Sequence, residues 1–247
     1  MIKKKVKKMT YSEAIEQVML NNGYIAPLKL LYKEIWNYKD KTEIRGKTPH
    51  MTIQERVQRD KRFTRIGLGI YALTDYLDKL PKTTIPKNEK ESKERKHAII
   101  QGMLLEIGNH QKDVYDTYTN DKKWVFENKT LGSLATLQKV PQFTFQNIID
   151  DSVSFADVIW FNERQFPQVI FEVEHSTDFR DAFIKFMELQ DFQTRFYCVS
   201  EENRREKFEK EINKSAFSPI NKRVKFLTYN QVENDYCQAI KEKFITY

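Results

Sequence analysis

Long apolar runs are missing from this sequence. None approaches the ~20 residues that a bilayer-spanning helix needs, which excludes a helical membrane protein. The opening MIKKKVKKMT is basic, but no apolar segment follows it, so it does not read as a secretory leader. Cysteine is scarce. Cys198 and Cys237 stand in apolar surroundings without ligand-like spacing, which excludes a disulfide framework and reads as two reduced, structural thiols of a cytoplasmic protein.

What is present is charge, unevenly placed. The 247 residues are 40% hydrophobic and 31% charged, enough for a soluble globule of one large domain or two smaller ones. Residues 1–80 carry 17 Lys/Arg against 9 Asp/Glu, residues 81–96 carry 6 against 3, and residues 97–247 carry 19 against 23. The net charge of +7 therefore comes wholly from the front of the chain. Such asymmetry points to a polyanion-binding front and a different task behind it.

A boundary falls at PKTTIPKNEKESKERK, residues 81–96. Two prolines, many charges and almost no large apolar residue cannot build a core, so the stretch reads as a linker running into a helix. Three helical patterns precede it. Residues 11–20 place Ala14, Ile15, Val18 and Met19 on one face, with Thr10 or Ser12 as N-cap, and NNG stops the helix. Residues 27–38 open on a proline suited to a first turn and repeat Leu28, Leu31, Ile35 and Tyr38. Residues 52–61 begin with Thr52 and have Glu55 three later, a capping-box spacing. RFTRIGLGIYAL then reads as two short strands around a glycine-containing turn.

Three helices followed by a hairpin is the order of a winged helix-turn-helix. The stretches TYSEAIEQVMLNNG, PLKLLYKEIW and TPHMTIQERVQRDKRFTRIGLGIYAL resemble the HARE-HTH family over roughly residues 9–80. The third helix would be the recognition helix, presenting Gln54, Arg56, Gln58, Arg59 and Lys61, with Arg62 and Arg65 continuing the set. Those residue types contact phosphates and base edges of duplex DNA.

Behind the linker, RKHAIIQGMLLEIGNHQK gives a helix with Ile99, Ile100, Met103, Leu104 and Ile107 as its buried stripe and Glu106 near its end. KKWVFEN, residues 122–128, is a short strand candidate. SFADVIWF and QVIFEVEHS follow as a hairpin-like pair joined by NERQFP. Residues 177–192 read as a helix capped by Thr177, with Phe179, Ala182, Phe183, Phe186 and Met187 inward. TRFYCVS is a strand, EENRREKFEKEIN a helix and RVKFLTY a last strand. The expected class is α/β (α+β), a mixed sheet flanked by helices behind a small winged-helix domain: domain 1–80, linker 81–96, domain 97–247.

The hairpin carries acids where ordinary strands carry none. Glu172 and Glu174 are two apart and share one strand face, while Phe171 and Val173 face a core. Asp157 precedes them on the neighbouring strand, close enough to lie beside the pair. Convergent carboxylates repel unless a cation neutralises them. Mg2+ suits such a set, since it takes oxygen ligands from one or two carboxylates together with water and substrate phosphate. Asp157, Glu172 and Glu174 are the expected metal ligands.

Asp157 followed by Glu172-Val173-Glu174 resembles the catalytic core of the PD-(D/E)XK nucleases over roughly residues 95–230. The resemblance implies a restriction-endonuclease-like fold and a catalytic set of Asp157, Glu172 and Glu174, with Glu106 as the supporting helix acid. Ala156 stands where proline is frequent, and Glu174 where lysine is usual, so the role of that lysine has no assigned residue. His175 follows directly, but alternation sends it to the opposite face. Arg180, Lys185 and Arg195 read as ordinary surface charges.

The expected function is therefore a Mg2+-dependent, type II-like restriction endonuclease cutting double-stranded DNA at a specific sequence as a homodimer, with no membrane partner. A catalytically inactive DNA-binding regulator, or a nuclease for modified DNA, repair intermediates or RNA, shares the same elements.

Overall fold

In a computed structural model of the chain, the described residues are 9–40, 49–67, 69–80, 89–127, 129–175 and 178–245. The chain divides into two compact units, Met1–Lys87 together with Phe244–Tyr247, and Asn88–Lys243. The first eight residues of the stretch read as a linker, 81–88, and the helix cap expected at Thr177 lie outside the described residues.

In the first unit, α1 spans Tyr11–Asn21 and buries Ala14, Ile15, Val18 and Met19. Thr10 rather than Ser12 is its cap: the Glu13 amide donates to Thr10 Oγ1 at 3.3 Å, and the Thr10 amide donates back to Glu13 Oε2 at 2.7 Å. Gly23 follows with φ +72°, a conformation that glycine adopts without a steric penalty. Strand β1, Ile25–Pro27, then leads into α2, Leu28–Glu34. Helix α3 spans Pro49–Arg59, and β2 (Phe63–Gly67), β3 (Ile70–Leu73) and a 3-10 turn over Thr74–Lys79 follow. The strands form an antiparallel sheet in the order β1-β3-β2.

Two expectations are corrected here. The sequence reading had no β1, a three-residue strand ending in proline. Helix α3 begins at Pro49, so Thr52 lies inside it and is not its cap; Glu55 instead pairs with Arg59 one turn on, at 2.6 Å.

The second unit opens with α4, Glu89–His110, which starts inside the stretch read as a linker. Strand β4 (Asp116–Tyr118) follows, then the small pair β5 (Val125–Phe126) and β6 (Lys129–Thr130), and the short helices α5 (Leu131–Leu134) and α6 (Gln146–Asp151). Next come β7 (Val158–Phe161), β8 (Pro167–Val173), α7 (Arg180–Met187), β9 (Arg195–Ser200), α8 (Arg205–Ile212), β10 (Val224–Thr228) and α9 (Tyr229–Ile245). The main sheet runs β10-β9-β8-β7-β4. β8, β9 and β10 are mutually parallel, and β7 is antiparallel to both β8 and β4. It is the expected mixed sheet flanked by helices. Its outer strand, however, is β4 and not the 122–128 stretch, whose residues 125–126 pair in the small sheet with β6.

Alternation sends the two faces of the sheet to different helices. Ile159, Phe161, Ile170, Phe196 and Cys198 pack with Phe179, Phe183 and Phe186 of α7 and with Phe208 and Ile212 of α8. Phe186 stacks on Phe196 at 4.6 Å. On the other face Trp160 meets Phe171 edge-on at 4.6 Å, and Phe171 stacks on Tyr197 at 5.3 Å. There Trp160 Nε1 donates to the Leu104 carbonyl of α4 at 3.1 Å. Gly108 permits that approach, because a Cβ on it would lie 2.5 Å from Trp160 Nε1. Helix α4 is thus buried on all sides from Ile100 to Gly108, beyond the single stripe that its sequence suggests. It is held firmly against the sheet, which fixes where its N-terminal half projects.

Candidate active site

The β7–β8 pairing sets Val158 opposite Phe171 and Ile159 opposite Ile170. One residue further in the same antiparallel register, Asp157 comes opposite Glu172 on the face that packs against α7. The amide of Val173 donates to Asp157 Oδ2 at 2.6 Å and fixes that carboxylate against the end of β8. Glu172 is only 3% exposed, and its Oε1 has no hydrogen-bond partner among the described residues. Its Oε2 accepts from Lys185 Nζ of α7 at 2.7 Å; the same ammonium donates to the Phe155 carbonyl at 3.1 Å.

Burial pushes the Glu172 carboxyl well above its usual range, the neighbouring Asp157 charge adds to this, and Lys185 opposes it. Burial would lower the Lys185 ammonium, but Glu172, Asp157 and Glu174 together raise it, so it stays charged. Glu174 lies one residue past β8 and is buried. Its amide donates to the Val199 carbonyl at 2.8 Å, and its own carbonyl accepts from Arg204 Nη1 at 2.8 Å. Its charge is felt at both Glu172 and Lys185. The three acids of the sequence pattern are therefore neighbours.

Helix α4 adds residues that the sequence reading missed. His97 and Gln101 are four apart and share one helix face. His97 Nε2 is 3.2 Å from Asp157 Oδ2, and its Nδ1 is 3.5 Å from Asp121 Oδ2. Gln101 Nε2 donates to Asp121 Oδ2 at 2.9 Å and to Asp157 Oδ1 at 3.0 Å. Asp121 comes from the loop after β4, where its amide donates to Thr119 Oγ1 at 3.2 Å. Burial alone would lower the His97 pKa, but the hydrogen bonds to Asp121 and Asp157 outweigh it and hold it up at about 10. The same His97 contact holds the Asp121 carboxyl below its usual range against the effect of burial.

His175 does not join the carboxylates. Its Nδ1 bonds Tyr229 Oη at 2.6 Å and its ring lies 5.5 Å from that of His97. Burial, then the His97 and Lys96 charges, bring it down to about 4, so it is neutral. Glu106 is not brought to the cluster either. It lies nine residues beyond His97, about 13 Å along the helix and half a turn around it. Its charge is felt instead at Tyr236 of α9. Lys185, read as a surface charge, is instead the cation paired with Glu172; Arg180 is on the surface, paired with Glu211 at 2.8 Å.

In the first unit, Arg56, Gln58, Arg59, Lys61 and Arg65 are exposed. Gln54 is not: it is 6% exposed, on the same inner face of α3 as Ile53 and Val57. Arg62 is engaged within the protein, with Nη2 2.7 Å from Asp60 Oδ2 and Nη1 2.8 Å from Glu16 Oε2.

Fold and site define a mixed α/β protein with a buried carboxylate cluster at the edge where β7 begins and β8 ends. Its family follows from the sequence: residues 79–246 match the family described as the type II restriction enzyme NmeDI C-terminal domain, and the chain belongs to that family. It is 28% identical over 158 residues to the type II restriction enzyme NmeDI of Neisseria meningitidis serogroup C. That stretch covers 60% of this chain and 44% of the relative, so the chain matches less than half of that protein's length. No solved structure matches the chain. Among the described residues no helix is long and apolar enough to cross a membrane.

Proposed function

We propose that the protein is a divalent-metal-dependent endonuclease that cuts double-stranded DNA at a specific sequence, as a restriction enzyme of PD-(D/E)XK type. The observation that carries this is the Asp157–Glu172 juxtaposition, in a chain of a restriction-enzyme family. The buried Glu172 Oε1 without a partner, facing the Asp157 charge, is a donor set that suits a hard cation. Asp157 and Glu172 would hold Mg2+, with Glu174 completing the set. Bound there, the cation would supply an acidified water and charge neutralisation at the scissile phosphate.

The rest falls to the chain's own side chains. Lys185 keeps an ammonium beside Glu172 and so takes the place of the lysine that the strand lacks. From there it offsets charge on the substrate phosphate and holds the Glu172 carboxylate in one orientation. The Val173 amide and Gln101 fix both oxygens of Asp157. Glu106 has no part in the site. The first unit is read as the winged-helix DNA-binding domain. Its three helices, antiparallel sheet and exposed Arg56, Gln58, Arg59, Lys61 and Arg65 support that role. Two cuts in a duplex need two such sites, hence a homodimer.

The test is incubation of the purified protein with unmethylated plasmid and phage DNA, with Mg2+ and with EDTA. Discrete Mg2+-dependent fragments are expected. Intact DNA, with salt-sensitive duplex binding retained, would contradict the nuclease reading on unmodified DNA; methylated DNA in the same assay separates a modification-dependent enzyme from an inactive regulator.

A further inference from the structure

His97, Asp121 and Asp157 each offer one ligand atom, and the three atoms lie within 4.8 Å of one another. Opposite ligands of a first-row metal are about 4.2 Å apart at bond lengths near 2.1 Å, so small side-chain rotations close the set. The three side chains are 23%, 30% and 15% exposed, buried enough to be positioned and open enough to admit an ion. Gln101, fully buried, donates to both carboxylates from one nitrogen and so turns them towards each other. Two further oxygens nearby, Gln101 Oε1 and Glu172 Oε1, are buried without a partner among the described residues. The Lys185 charge is felt at Asp121, and those of Asp157, Glu172 and Glu174 are felt at Lys185, so the four carboxylates lie in one electrostatic neighbourhood.

We infer that His97, Asp121 and Asp157 form a second cation site, bridged to the first through Asp157, that takes a transition-metal dication such as Mn2+ in preference to Mg2+. The nitrogen donor makes the difference, since imidazole suits first-row transition metals while Mg2+ keeps to oxygen. Gln101 is its positioning residue. The inference rests on the reading of Asp157 and Glu172 as a cation site. If protonated His97 instead stays the counter-ion of Asp121 and Asp157, no metal enters and the Mn2+ titration is flat.

The experiment is a Mn2+ titration of the full-length protein without DNA, read by calorimetry and by pulsed EPR for 14N coupling to the bound ion. Wild type should bind Mn2+ tighter than Mg2+ and show the nitrogen coupling. His97→Gln should remove the coupling and bring Mn2+ affinity down to the Mg2+ level. Asp121→Asn should weaken Mn2+ roughly tenfold and retain the coupling, which gives a second variant should the first not fold. Bound Mn2+ without 14N coupling in wild type, or no Mn2+ binding at all, would overturn the inference. DNA cleavage by the same samples separates the two readings. Coupling without cleavage under any cation sinks the nuclease and keeps this site; Mg2+-dependent cleavage without coupling sinks this site and keeps the nuclease.

Discussion

Lys185 reaches from α7 to Glu172 on β8, Nζ to Oε2 in 2.7 Å, and places an ammonium beside a buried carboxylate. The pair is nearly enclosed, with Glu172 3% and Lys185 26% exposed. Breaking it leaves a buried acid that is unpaired or has to take up a proton. Lys185→Met is expected to cost about 3 kcal/mol of stability, the lower end for a broken buried pair because the lysine is partly solvated. Cleavage should fall at least ~100-fold. The double variant Lys185→Met/Glu172→Gln should recover most of the stability and none of the activity. Urea melts of the four proteins check this, and simple additivity of the two single changes would show that the pair is not coupled.

Gly108 is where α4 meets Trp160. Gly108→Ala puts a Cβ 2.5 Å from Trp160 Nε1 and 2.9 Å from Thr117 Cγ2. Since Trp160 is 6% exposed and bonded to the Leu104 carbonyl, it has nowhere to go. A loss of about 1–3 kcal/mol is expected in thermal or urea unfolding. His97 and Gln101 ride on the same helix, so cation affinity should drop as well. Unchanged stability would mean that α4 is not packed this tightly.

The first unit carries its own pH dependence. The Arg62 hydrogen bond holds the Asp60 carboxyl well below its usual range, against the effect of burial. A depressed carboxyl contributes stability above its unfolded pKa of about 4, and that contribution is lost as pH falls through the folded value. Arg62 is 40% exposed, so the worth is discounted to about 1 kcal/mol. Asp60→Asn should speed amide exchange in α1 at pH 7, and the difference from wild type should shrink below about pH 4. A difference that persists undiminished at low pH would point to something other than the ion pair.

Duplex binding should be steeply salt-dependent, with exposed and engaged arginines behaving differently. Arg56→Ala and Lys61→Ala should each reduce the slope of log affinity against log salt by about 0.9. Arg62→Ala should act on stability instead, because its guanidinium already serves Asp60 and Glu16. Deleting residues 1–80 without loss of duplex affinity would refute the division of labour between the units.

The hairpin and its acids were legible because strand alternation is short-range: Asp157, Glu172 and Glu174 are placed by a period of two and one turn. The helices α1, α2 and α7 followed equally from apolar spacing. The rest of the site was not legible, because it depends on how distant elements dock. Lys185 sits on a helix whose sequence signal is its phenylalanines, and only the packing of α7 on the sheet brings its ammonium to Glu172. His97, Gln101 and Asp121 come from a helix and a loop that precede Asp157 by 36 to 60 residues, with no periodicity to tie them to it. Glu106 misled because an acid on a helix says nothing about the rotation of that helix over the sheet; half a turn put His97 and Gln101 at the site instead. Strands β1 and β4 have three residues each, too few for a pattern, and Gln54 was placed outward although α3 turns it inward.

The most direct measurement pairs cleavage with binding in Asp157→Ala. Both are followed on the same unmethylated duplex DNA in Mg2+, alongside wild type and an EDTA control. Asp157 touches the Val173 amide, Gln101 and His97, and belongs to no DNA-binding surface proposed here. The expected result is discrete cleavage by wild type, none by the variant, and duplex affinity within a few-fold of wild type. Cleavage by the variant, or a loss of binding as large as the loss of cutting, would contradict the assignment of Asp157 as a metal-holding catalytic residue.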